Sequence, residues 1–241
     1  MPRLRLRRRA SRAAATIFAA LPVCWILWLG DALGTLLAHA DRQGRAVALQ
    51  NLTVAFGEGR PASRRIADHV ASRRCAARAL LLSARGPLGH YVPPRDGVLV
   101  TGRMGLWRVL RARWRVALAE EEPRSRQEGA WAPFLGLPAW TDVRVLRRAR
   151  ERGLPVRPVL LAAGEDGRCS LWVGPDLAAG VRSDDPRADV HEIAARVNGA
   201  LEHVVRARPD LWDWTWPRLR VRPTPEMGPY PRYSRWVPGP K

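Results

Sequence analysis

Apolar positions recur along the chain at two periods and divide it into helices and strands. Residues 13–30 carry no charge and include Ile17, Phe18, Leu21, Trp25, Ile26 and Trp28. As a helix rising about 1.5 Å per residue, such a run lies near the lower limit for crossing a bilayer. Ala48, Leu49, Leu52, Ala55 and Phe56 then fall at helical spacing, and a further stripe from Ser63 runs through Ile66, Val70, Ala77 and Leu81. Residues 97–101 form a short apolar run after Pro93-Pro94 and predict a buried strand. Residues 105–113 predict the start of a helix, 115–119 a second strand, and 120–129 a polar loop. Residues 141–152 predict a helix closed by Gly153, and 155–162 with 168–173 predict a hairpin around Gly164-Glu165-Asp166-Gly167. Val190, Ile193, Val197, Leu201 and Val204 mark one face of an amphipathic helix that Pro209 stops.

Strands interspersed with helices predict an α/β domain, a mixed sheet flanked by helices. The expected organisation is a basic N-terminus and membrane anchor over 1–30, an α/β domain over 31–208, and a tail rich in proline, tryptophan and arginine over 209–241. That tail has 8 prolines in 33 residues and reads as an extended cover packed on the domain. No internal repeat interrupts this plan.

Composition changes the picture in three places. With 241 residues and 46% hydrophobic content the chain can bury a sizeable core, which excludes wholesale disorder. The net charge of +19 resembles a nucleic-acid signature until its make-up is read: among 41 basic residues the single lysine is Lys241. An excess of arginine, alanine, proline and glycine is the mark of GC-rich coding, and no zinc-finger, RNP or P-loop pattern accompanies it. Nucleic acid is therefore not an expected partner, although the charge favours anionic membrane surfaces. Cys24, Cys75 and Cys169 are too scattered for a metal site or a disulfide framework, so neither metal nor cofactor is expected.

The first twelve residues hold Arg3, Arg5, Arg7, Arg8, Arg9 and Arg12 and no acid. Ahead of an apolar segment, this cluster places the N-terminus in the cytoplasm, with Trp25 and Trp28 suited to one membrane interface. Other readings stay open. Ala38-His39-Ala40 resembles a signal-peptidase site, although Asp31 interrupts the segment before it. Pro22 permits an interfacial or re-entrant helix, and a soluble core helix fits the same composition. Among the 11 tryptophans, Trp212, Trp214 and Trp216 in the tail fit interfacial contact, with core packing the alternative for most.

Three stretches, taken in order, resemble the late acyltransferases of lipid A biosynthesis and their bacterial lysophospholipid-acyltransferase relatives. Leu29-Gly30-Asp31 through Asn51-Leu52 and Ala55-Phe56-Gly57-Glu58 resemble the family's anchor, basic turn and "NL..aFPe" helix. Residues 99–110, with TGRMGLWRVL at their core, resemble "tGHfGNWEl". Phe134-Leu135-Gly136-Leu137-Pro138-Ala139 resembles "FFG.pA". Asn198, Glu202, Arg206, Pro209, Trp214, Arg218, Arg222 and Pro223 resemble the C-terminal motif "N..ie..i...PeqY.W.hRRfk.RP", with the Asn-to-Pro spacing of 11 preserved. Each motif alone is weak, and their shared order across most of the chain is what carries weight.

The resemblance implies a glycerolipid-acyltransferase-like fold on the cytoplasmic face of a bacterial inner membrane. It implies acyl transfer from acyl carrier protein or acyl-coenzyme A to a hydroxyl of a glycolipid or phospholipid. The family's base is a histidine held by an acid five residues later. Here those two positions are Arg103 and Arg108. A guanidinium stays protonated and offers no acceptor lone pair, so it cannot take the hydroxyl proton. Catalysis is therefore expected to be lost. By the same carry-over, Gly102, Gly105, Trp107, Glu120, Glu121 and Arg218 are the expected substrate-binding positions. Arg218 would meet a substrate phosphate, or else lie in solvent within a basic tail. Arg108 stands only 12 residues before Glu120, a shorter interval than the family's, and Trp216 and Pro217 replace its histidine and one arginine.

No other histidine restores the base. His90 precedes the strand, with Asp96 six positions on; His39 borders the anchor; His69, His191 and His203 sit on expected helices, His203 partly buried. An alternative is that Gly102, Arg103 and Gly105 form an anion pocket at a helix N-terminus, where free N–H groups and the macrodipole favour a phosphate or carboxylate. The functional expectation is thus a membrane-anchored family member without transfer, or a lipid-, anion- or partner-binding homologue.

Overall fold

The computed structural model describes residues 21–85, 97–100, 116–119, 129–163, 167 and 169–236. Three helices come first: α1 (Val23–Ala40), α2 (Arg42–Phe56) and α3 (Ala62–Arg85). Pro22 precedes α1, where a residue without an N–H costs the helix nothing. Asp41 separates α1 from α2 and caps the latter, its Oδ1 accepting from the Gly44 N–H at 2.8 Å. Gly57, at φ 76°, ends α2 in a conformation that favours glycine. α1 runs without a break past residue 30, so the expected boundary between anchor and domain falls inside a helix.

A four-stranded mixed sheet follows, in the order β2–β1–β5–β6. β1 (Gly97–Val100) lies between β2 (Val116–Ala119) and β5 (Val156–Ala163) and is parallel to both. β6 (Cys169–Val173) closes the edge antiparallel to β5, with Ala163 opposite Cys169, as the hairpin pattern predicts. α3, α4 (Arg144–Arg152) and α5 (Pro186–Ala207) pack against these strands, so the mixed sheet flanked by helices is observed.

Periodicity does not predict the second sheet. β3 (Gly129–Phe134) and β4 (Leu137–Asp142) form an antiparallel hairpin in a stretch of alanine, proline and tryptophan where alternation is weak. Its turn is Leu135-Gly136, both at positive φ (54° and 78°), the handedness that suits a two-residue hairpin. The helix expected from residue 141 therefore starts at Arg144, because Thr141 and Asp142 finish β4 opposite Ala130 and Gly129. Gly153 closes α4 with φ 63°, as expected.

The main core joins α2, the β3–β4 hairpin, α4, α5 and the tail, with Leu52, Phe134, Leu146, Ile193, Leu201 and Trp214 at its centre. After a short turn of 3-10 helix (Pro209–Leu211) the tail folds back over this core and pairs β7 (Val221–Arg222) with β8 (Arg235–Trp236) in parallel. Trp212 and Trp214 are buried within the core, which corrects the interfacial expectation for both. The Trp214 indole N–H donates to the Pro209 carbonyl at 2.6 Å, satisfying its one polar group as the ring leaves water. Trp216 is half-buried beneath the Arg220 guanidinium, 5.4 Å from its ring centroid.

Candidate functional site

The expected site follows two adjacent parallel strands. Val100 and Ala119 are register partners at the C-terminal ends of β1 and β2; Gly102 follows Val100 by two positions and Glu120 follows Ala119 directly. β2 lies on one side of β1 and β5 on the other. Gly102, Arg103, Gly105, Trp107, Arg108, Glu120 and Glu121 themselves lie outside the described residues, as do the helix expected over 105–113 and His90.

Arg218 is described, and it is not a solvent arginine: only 5% of it is exposed. Nη1 donates to the Trp140 carbonyl at 2.8 Å and Nη2 to Thr141 Oγ1 at 2.9 Å. Nη2 also approaches Asn198 Oδ1 at 3.4 Å, while Asn198 Nδ2 donates to Thr141 Oγ1 at 3.0 Å. The threonine hydroxyl completes the set by donating to the Ala139 carbonyl at 3.1 Å. Arg218, Asn198 and Thr141 thus bind the tail, α5 and β4 to one another. The Arg218 guanidinium also lies over the Phe134 ring, 5.3 Å from its centroid.

Three more polar side chains do similar work. Glu202 on α5 accepts from the Leu135 N–H at 2.6 Å, supporting a non-glycine residue at positive φ, and pairs with Arg206 one turn on. Arg206 in turn donates to the Ala55 carbonyl at the end of α2. Asn51 on α2 donates to the carbonyls of Trp214 and Trp216 at 2.8 and 2.9 Å and accepts from the Tyr233 hydroxyl. Residues of the first and third family-like stretches therefore meet as framework bonds among α2, the hairpin, α5 and the tail.

Titratable groups near this framework are tuned by burial. His69 is 1% exposed, with Nε2 3.4 Å from the Ala38 carbonyl. Removal from water lowers its pKa, which the Ala38 carbonyl partly offsets. The Cys75 thiol is pushed up by burial, as is the Tyr233 phenol. Asp189 on α5 is held down chiefly by the Ser183 hydroxyl, which donates to it at 2.7 Å, with the Ser183 N–H and Arg150 adding to the effect. That cluster is missed by motif reading, yet Ser183-Asp184-Asp185-Pro186 is a helix-start signal, with Asp185 as cap and Pro186 in the first turn.

Three further histidines are described. His39 bonds its own helix through the Thr35 carbonyl at 2.8 Å, and His191 and His203 are exposed on α5, His203 more so than expected. Among the described residues no three of His, Cys, Asp and Glu are grouped to hold a metal ion. No protein-family model and no curated protein matches the chain.

Proposed function

We propose that the chain is a membrane-attached homologue of the lipid A-type acyltransferases in which acyl transfer has been lost. Its ancestral reaction is the transfer of an acyl group from acyl carrier protein or acyl-coenzyme A to a glycolipid hydroxyl, at the cytoplasmic face of a bacterial inner membrane. The observation that carries the reading is the ordered set of family-like stretches. Its support is that Asn51 and Arg206 bond the first of these stretches to the third, while Asn198, Glu202 and Arg218 tie α5 and the tail to the hairpin. Residues that recur because a fold needs them are expected to behave this way.

The loss of transfer rests on chemistry. Arginine at 103 offers no lone pair for the incoming hydroxyl proton, and arginine at 108 repels an imidazolium rather than steadying it. General-base catalysis contributes about 10²–10⁴-fold in rate, so its removal leaves little turnover. The second reading, a homologue that binds a lipid headgroup or a partner enzyme, is favoured by the exposed apolar face of α1, where Trp25 and Trp28 stand in solvent.

The test is acyl transfer by the purified, detergent-solubilised chain beside the Arg103→His/Arg108→Glu double variant. Acyl-carrier-protein thioesters are supplied with lipid A precursor or phosphoglycolipid acceptors, and products are read by mass spectrometry. Product from the double variant alone is the expected result. Transfer by the unmodified chain overturns the loss, and silence from both directs the choice to the binding reading.

A further inference from the structure

α1 has two unlike faces. Ile26, Gly30, Gly34 and Ala38, spaced four apart, are buried, and α3 covers them. Gly30 and Gly34 permit the approach: a Cβ on either would stand 2.9 Å from Arg78 Cα and 2.5 Å from Arg74 Cα, respectively. Polar bonds lock it. Arg78 donates to both Asp31 carboxylate oxygens at 2.5 and 2.6 Å, and Arg74 Nε donates to Thr35 Oγ1 at 2.8 Å. At the two ends of the helix, Val23 lies against Gly167 between β5 and β6, and the Ala38 carbonyl faces buried His69. α1 is fastened to the domain along its whole length.

The opposite face has no cover among the described residues. Trp25, Trp28 and Leu36 are 59%, 63% and 65% exposed, and with Ala32 they fall within about 80° of the helix circumference. We propose that this face is embedded in the interface of an anionic bilayer, with α1 lying in the membrane plane rather than crossing it. The proposal rests on the membrane attachment argued above and supplies its geometry.

α1 is long and apolar enough to cross a membrane by composition. Its packing forbids that. A crossing helix would carry α3 with it, and Arg74 and Arg78 are bonded to α1 at mid-helix. Arginine at bilayer depth is among the costliest placements a side chain can have. Lying flat leaves both ion pair and hydrogen bond intact, and puts two tryptophans at headgroup level, where their rings are favoured. The six arginines that precede the helix in sequence add positive charge, which favours anionic headgroups.

The experiment uses the full chain with sealed vesicles of phosphatidylcholine, with and without phosphatidylglycerol. Binding is expected to the anionic vesicles, and Trp25→Glu/Trp28→Glu should weaken partitioning by about tenfold or more without changing the melting temperature. Depth is read in a Cys24→Ser/Cys169→Ser background carrying a bimane probe on Trp25→Cys, Ala32→Cys or Leu36→Cys. Lipids brominated at different acyl depths serve as quenchers. Equal, shallow depth at all three positions is the expected result. A maximum at position 32 means that α1 spans, which overturns the geometry and leaves attachment standing. Absence of binding to either vesicle overturns attachment itself. Binding undiminished by the double tryptophan variant removes this face from the contact. Self-association abolished by that variant, without vesicle binding, makes the face an interface between copies and overturns the proposal.

Discussion

At the scale of single residues, stability rests on buried polar groups bonded to backbone carbonyls and to one another. Arg218→Met leaves the Trp140 carbonyl with one donor fewer and breaks the bond to Thr141, inside a site that water does not reach. A loss of about 2–4 kcal/mol is expected, read as a lowered urea midpoint. His69 acts through pH. Its folded pKa lies below the ordinary 6.5, so the unfolded chain takes up a proton first as the solution is acidified. Its contribution is present above pH 6.5 and is lost as pH falls toward the lower folded value. Urea midpoints should decline in that window for the native chain and less for His69→Gln. Asp189 differs: its folded pKa lies below 3.8, so its contribution is present above that pH and fades in more acidic solution. The two variants, His69→Gln and Asp189→Asn, should therefore alter separate limbs of one stability profile.

At the scale of elements, glycine has opposite meanings in two helices. At Gly34 an added methyl meets the Arg74 backbone at 2.5 Å, and a backbone cannot rotate away. Overpacking of this kind costs about 1–3 kcal/mol, more than the roughly 1 kcal/mol that alanine gains over glycine in a helix. Gly34→Ala should destabilise the protein and loosen α1. At Gly199 on α5 a methyl meets nothing within 4 Å, so Gly199→Ala should stabilise by up to about 1 kcal/mol. Thermal melts of the two variants check the difference in sign. Sequence reading found α5 by its apolar stripe, and of α1 only the part up to residue 30, by its lack of charge. It had no means of ranking the glycines, because the contact that matters at Gly34 comes from a residue 40 positions away.

At the scale of the whole molecule the tail is part of the core. Trp212, Trp214 and Leu219 are buried in the same cluster as Leu52, Phe134 and Leu201, and Asn51 is bonded to the tail through two carbonyls. Truncation after Arg208 removes that layer and opens apolar surface of α2, α5 and the hairpin. Loss of a cooperative unfolding transition is expected, measured by calorimetry. The same logic separates charge from fold. A net charge of +19 governs what surfaces the protein approaches, whereas buried Arg218 and half-buried Arg150 act locally through carbonyls and carboxylates.

The sequence by itself determined the helices α2, α3 and α5, the β5–β6 hairpin and the stop at Gly153. In each, propensity, period and punctuation agree within a dozen or so residues. It also puts arginine at 103 and 108, and a guanidinium is no base in any fold. The tertiary structure decided what depends on partners distant in the chain. It drew Trp212 and Trp214 inward, made Arg218, expected to meet a substrate phosphate or else solvent, a buried bond-maker, and made a hairpin of 129–142 despite its weak alternation. It also gave α1 one face for the protein and one for another environment. Period alone reports that a helix is apolar, and only the packing of Gly30 and Gly34 against α3 tells which side of it the protein leaves uncovered.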